Sequence, residues 1–378
     1  MSSEPDEPRT PEPFSTDVPQ ELPPVTPPSA GFIVQLFLIP AFIVAAVIAV
    51  WGLFGQLAGS EVDLERLVVE LGNNNEHRRW RAAHNLYVLL QNGRRVDQTD
   101  PDRITARRDI AEGLTDLLND SLDSSVTDDP GRLNHQVFLA RTMGSLESED
   151  FVLPTLAKAM DSRCDVAVRK SALMSLALIA GRHFGKQTGT SDLPVPAATP
   201  DLSPLKSDVG LPLPSPTIQN QEILSQLNSA AQDNDASIRH LAAFVLGLVS
   251  GPEALEHLRV LLLDSDKSTQ VNAAIALSRN ADIAGVPTIL RVLQGEFNEV
   301  EPIALNDLPA AEQQDAEAAR LFDQSTALVN CLTAVCKLWN RIAESDRSEL
   351  RGAIQQLESV HASPGIRLHA TAVLRKIQ

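Results

Sequence analysis

The sequence predicts an all-α chain: an α-solenoid of helix pairs over 61–378, preceded by a disordered Pro-rich acidic tail over 1–30 and one membrane-crossing helix over 31–59. Three observations carry this. Apolar residues make up 43% of the chain but aromatics only 4%, so Ala and Leu must do the packing, which suits closely stacked helices better than pleated sheets. A polar residue followed at plus three by a small one and at plus seven by Leu recurs along the chain, the spacing of one buried helical stripe. From Leu22 to Ser60 no side chain is charged.

The tail holds nine prolines and almost no large apolar side chain, too little to offset the entropy of ordering. Phe32 to about Leu57 is dominated by Phe, Ile, Val, Leu and Ala, and about 20 such residues cross a bilayer as a helix. The leader is acidic and the apolar run too long for a cleaved signal. Only Arg9 precedes the run, whereas Arg66, Arg78, Arg79 and Arg81 follow it, which places the solenoid on the cytoplasmic side of a single-pass protein. Gly55 and Gly59 are spaced for a close helix–helix approach, hence a homodimer contact.

The repeat frame reads Arg79, Ala82, Leu86; Arg169, Ala172, Leu176; Arg239, Ala242, Leu246; Gln270, Ala273, Leu277; and Arg367, Ala370, Leu374. Ahead of two of these helices stand Asp165 and Asp235, suited to cap the helix that follows. Each is preceded by a second amphipathic segment, such as Leu255, Leu258 and Leu261, so the unit is a helix pair. The recurring Arg residues have two readings: a basic binding ladder, or a structural ladder bonding to Asp or carbonyls in adjacent turns.

These residues resemble HEAT repeats, particularly the short HEAT-like type of phycobilisome lyases. Leu153-Pro154-Thr155-Leu156 and Val286-Pro287-Thr288-Ile289 look like the proline-bearing first helix of that family, and Asp235 through Gly247 like its second. The resemblance covers Val62 to Gln378, about seven units, with degenerate ones around Gln136 and between Leu321 and Leu338. It implies a right-handed superhelix with second helices lining a concave face.

Two insertions interrupt the array. Residues 183–217 carry seven prolines, and 296–317 carry seven acids without Lys or Arg; the second is a solvated loop or a site for a basic partner.

The net charge is −17, which disfavours nucleic acid, whose binders need surplus Lys and Arg, although a local basic face can hide inside an acidic total. Cys164, Cys331 and Cys336 are too few and irregular for a disulfide framework or zinc site and read as small core residues. Gly181 to Thr188 approaches a phosphate loop but lacks one residue between its glycines and the magnesium-binding hydroxyl. Gly247 to Gly251 has its Ser one place late for a nucleophile elbow and reads as a helix stop. Some HEAT-like arrays are di-iron hydroxylases with His-Glu dipeptides; here Glu76-His77 and Glu256-His257 have the reverse order. No catalytic, cofactor-binding or metal residue is therefore assigned. The expected function is a membrane-anchored, non-enzymatic scaffold or adaptor for a protein partner. The alternatives are an enzyme or small-molecule binder of the bilin-lyase type, and a structural subunit of an envelope complex.

Overall fold

A computed structural model describes residues 31, 38, 40–51, 64–73, 75–93, 104–123, 130–188, 216–296 and 310–377. The chain divides into two units, Met1–Asp63 and Leu64–Gln378.

In the first unit, 40–51 is helical. Among the described residues no helix is long and apolar enough to cross a membrane. The expectation of a single-pass membrane protein is corrected accordingly, and the cytoplasmic orientation, which depended on that span, falls with it. The tail over 1–30, the remainder of 31–59 and its Gly55 and Gly59 lie outside the described residues.

The second unit is all-helical, with no strand among its described residues. Its helices are α1 (Leu64–Leu71), α2 (Glu76–Gly93), α3 (Arg108–Asp123), α4 (Pro130–Met143), α5 (Glu149–Ala159), α6 (Val166–Thr188) and α7 (Gln221–Ala230). They continue as α8 (Ala236–Val249), α9 (Pro252–Leu261), α10 (Lys267–Arg279), α11 (Val286–Leu293), α12 (Ala310–Leu338), α13 (Glu344–Val360) and α14 (Pro364–Lys376).

Each odd-numbered helix packs on the even-numbered one that follows it, and each even-numbered helix packs on the even-numbered ones before and after. Odd-numbered helices meet likewise at α1–α3, α3–α5, α5–α7 and α11–α13. The result is a two-layered helical repeat array in which every pair is completed by its neighbours, as a stripe that cannot be buried within one pair requires. One apolar cluster runs from α1 into α10, and a second from α10 to α14. The frame's small and Leu positions are its fixed points: Ala82, Leu86, Ala172, Leu176, Ala242, Leu246, Ala273 and Leu277 are all buried. Cys331 and Cys336 are buried in the second cluster.

Small residues let the even-numbered helices approach closely. A Cβ on Gly144 would stand 2.7 Å from Ser175 Cα, and one on Gly247 would stand 2.5 Å from Ala276 Cβ. Ser175 uses the closeness: its Oγ donates to the Ala140 carbonyl at 2.7 Å.

The insertion boundaries shift. His183 to Thr188 belong to α6, because Arg182 donates to the carbonyls of Gly144 (2.6 Å) and Leu146 (2.8 Å) and His183 meets Glu149 at 2.7 Å. These tertiary bonds favour helix across Gly181 and Gly185, whose own helix propensity is poor. At the far end Thr217 N donates to the Val249 carbonyl at 2.8 Å, beside Gly251, whose φ of +87° suits glycine. Likewise 310–317 form the start of α12 rather than loop. Residues 189–215 and 297–309 lie outside the described residues.

Candidate functional site

The turns between paired helices are built from Asp. Asp165 accepts from Ala167 N at 2.7 Å, Asp235 from Ser237 N at 2.8 Å and Asp266 from Thr269 N at 2.7 Å, each satisfying an N–H with no partner inside its helix. Bonding to Ser237 holds the Asp235 carboxyl below the usual carboxylate range.

On this row of caps rests the polar ladder of the second helices. Arg79 donates to the Asn73 carbonyl at 3.4 Å, Gln136 to that of Ser121 at 2.7 Å and Gln270 to that of Asp264 at 2.6 Å. Arg239 donates to the Asp233 carbonyl at 2.8 Å, and Arg367 to the His361 carbonyl at 2.5 Å. Two rungs reach further. Arg169 pairs with Asp233, and Arg239 grips Asp264 through Nε and Nη2, both at 2.8 Å. The hydrogen bond and charge of Arg239 hold the Asp264 carboxyl low, with burial opposing. The repeated Arg is thus a structural ladder that bonds inside the array, although the buried Nε of Arg169 has no hydrogen-bond partner.

What remains outward is different. The position one residue after each rung holds Trp80, Val137, Lys170, His240 and Leu368; the position five after it holds His84, Arg141, Met174 and Phe244. Trp80 is 50% exposed and Met174 41%, and Arg141 and His84 are exposed too. On α10 the corresponding Val271 and Ile275 are buried in the cluster shared with α12, so the outward row is closed there. At its edge Arg279 lies with its guanidinium carbon 4.9 Å from the Phe244 ring centroid, a cation–π arrangement. Its Nη1 is buried and has no hydrogen-bond partner. Burial pulls this guanidinium down to about 10, which leaves it charged at neutral pH. Asn272 Nδ2, 2.9 Å from His240 Nε2, struts α8 against α10 beside it.

Charge separates between the layers. Outside 310–323 the even-numbered helices carry one acid, Glu76, and sixteen Lys or Arg. The odd-numbered helices carry sixteen Asp or Glu and seven Lys or Arg. A basic, partly aromatic layer therefore exists within an acidic chain.

Other chemistry is sparse among the described residues. No group of three His, Cys, Asp or Glu there could hold a metal. The hollow between α2 and α4, lined by Arg79, Trp80, Asn134, His135 and Phe138, has room for about 20 Å³, little more than a water molecule. Burial, and Arg79 beside it, pull His135 down to about 4. A larger groove, about 340 Å³, lies between α13 and α14 and is lined by Arg351, Glu358, Thr371 and Leu374. Burial pushes the Cys331 thiol up to about 12, which makes it inert packing. The suspected phosphate loop, Gly181 to Thr188, is the last part of α6. Ser250 ends α8, and its Oγ donates to Asn280 Oδ1 at 2.7 Å. Sequence reasoning assigned no site residue; it missed Arg279 and Phe244 because their pairing joins two helices and only Phe244 belongs to an outward register.

No family model matches the chain, and no curated protein matches it. Among solved structures it is similar to an archaeal HEAT-like repeats protein from Thermococcus onnurineus, at 13% identity over 84% of this chain and 98% of that one, with a TM-score of 0.40. It is also similar to the complex of CpcE and CpcF of phycocyanin lyase from Nostoc, at 14% identity over 85% and 96%, with a TM-score of 0.36. An engineered protein aligns at 16% identity over 84% and 97%, with a TM-score of 0.35. With scores this low, the description of the fold rests on the helix packing given above.

Proposed function

We propose that this chain is a non-enzymatic scaffold or adaptor of the HEAT-repeat kind, about seven helix pairs long, that holds a protein partner against its second-helix layer. The observation that carries the reading is the outward row of that layer. Trp80, Met174 and Leu368 are exposed at the positions next to or near the ladder rungs, where a purely structural array needs nothing but polar side chains. Partly exposed aromatic and Met side chains beside Arg are the composition of interface centres. The ladder supports the reading from the opposite direction, since it commits the buried cations to the fold and leaves the outward ones for contact. The resemblance to HEAT repeats implies that this layer is the concave one, which would let one partner touch several units at once.

A photo-crosslinking residue placed at Met174 on the second layer, or at Val260 on the first, tests this in the organism that makes the protein. Val260 is 65% exposed, so both positions are accessible. The expected result is one stoichiometric protein adduct from position 174 and none from position 260. Equal labelling from both layers, or a copurifying small molecule with no protein adduct, would overturn the scaffold reading and favour an enzyme of the lyase type.

A further inference from the structure

We infer that the second-helix face from α4 to the α8–α10 junction is a receptor for an extended acidic peptide carrying large apolar side chains. The inference rests on the scaffold reading and names the chemistry of its partner.

The first argument is charge complementarity. Outside 310–323 the even-numbered helices hold sixteen cations and the single acid Glu76. Subtracting the ladder still leaves Arg141 and Lys170 on the outward row, with Lys186 exposed farther along α6. The second argument is Arg279. Its buried Nη1 has no hydrogen-bond partner, and its guanidinium lies 4.9 Å from the Phe244 ring centroid. Arg279 as a residue is half-buried rather than enclosed, and Arg receives a carboxylate in a planar fork. Phe244 below it and Met174 on the neighbouring helix supply apolar surface for the next side chains.

The third argument is spacing. Packed helices lie 8–10 Å apart, and an extended chain rises about 3.3 Å per residue. Every third residue of an extended peptide crossing the layer therefore meets the equivalent position of the next helix. Each acidic, acidic and large apolar triplet of a repeating peptide therefore offers both a carboxylate and an apolar side chain at every helix, for Arg141 and Arg279 or for Met174 and Phe244 to take. Nucleic acid, the other polyanion a basic layer attracts, is an outcome of the test.

The test is fluorescence anisotropy on the full chain with a labelled peptide of roughly twelve residues repeating Glu-Glu-Phe. Controls are an all-Glu peptide, a Lys-Lys-Phe peptide and an oligothymidylate of the same length. The expected result is salt-sensitive binding of the Glu-Glu-Phe peptide alone, weakened about tenfold or more by Arg279→Gln and by Met174→Glu. Arg279→Lys should weaken it less, and Arg259→Gln on the first layer should leave it unchanged. Urea midpoints for each variant separate lost binding from lost folding. Tighter binding of the oligothymidylate or the all-Glu peptide, or insensitivity to both second-layer variants, would overturn the inference. A protein adduct from position 174 combined with no binding of the acidic peptide would overturn the acidic specificity while leaving the scaffold reading intact.

Discussion

The two layers of this array are made from the same kind of helix and differ in what they do with charge. Odd-numbered helices carry acids outward in ordinary fashion: Asp109 and Glu253 stand exposed in first turns, where negative charge favours the helix dipole. Even-numbered helices have given that task to the Asp caps that precede them and carry bases instead. Some of those bases, Arg169 and Arg239 above all, turn inward to Asp233 and Asp264, each two residues ahead of the next unit's cap. Others face solvent. The difference teaches that one repeated residue type serves two purposes, and that burial separates them.

The sharpest way to break this comparison is to remove a rung. Arg239 is 14% and Asp264 8% exposed, and deleting one partner of a buried pair leaves the other charge uncompensated. Arg239→Ala should cost about 3–5 kcal/mol in urea unfolding. Arg259, 50% exposed against Asp282 at 2.5 Å, is the first-layer counterpart, and Arg259→Ala should cost under about 1 kcal/mol. Equal losses would mean that the layers are not mechanically different. The first variant also has a pH signature. The depressed Asp264 carboxyl contributes stability that is fully present above the unfolded carboxylate value near 4 and is lost as pH falls through the lower folded value. Arg239→Ala should flatten that acid limb of the stability profile.

Two glycines give the next test. Gly247→Ala forces a methyl against Ala276, 2.5 Å away, and should destabilise by about 1–3 kcal/mol. Gly352, on the first layer in α13, has nothing within 4 Å of its Cβ position. Gly352→Ala should stabilise by up to about 1 kcal/mol through helix propensity alone. Opposite signs in thermal melts would confirm that even-numbered helices are in tight contact where this odd-numbered one is open.

Much of this was legible in the sequence because the repeat is local. The plus-three and plus-seven positions gave the buried stripe, and Asp165 and Asp235 announced their caps. The ends of the insertions were not legible. The first insertion was read as starting at His183, whereas the bonds of Arg182 to a distant turn help carry α6 on to Thr188. The expected membrane helix is corrected on other ground: an apolar composition was read as a span, and among the described residues no helix is long and apolar enough to cross a membrane. The outward site was hidden more deeply. Arg279 looks like an ordinary basic residue at a helix C-terminus, and its stacking on Phe244 depends on how α8 and α10 meet.

The smallest predicted effect decides what the outward cations are for. Arg141 is exposed on α4, and no hydrogen bond or ion pair of its side chain is among those of the ladder. Arg141→Ala should change the unfolding free energy by less than about 0.5 kcal/mol, the usual range for surface positions. Measured beside Arg239→Ala, a near-zero value shows that the basic character of the second layer exceeds what its stability requires, so the excess is available for a partner. A loss approaching that of the rung would instead assign Arg141 to the fold, and the charge asymmetry between the layers would then be a consequence of packing.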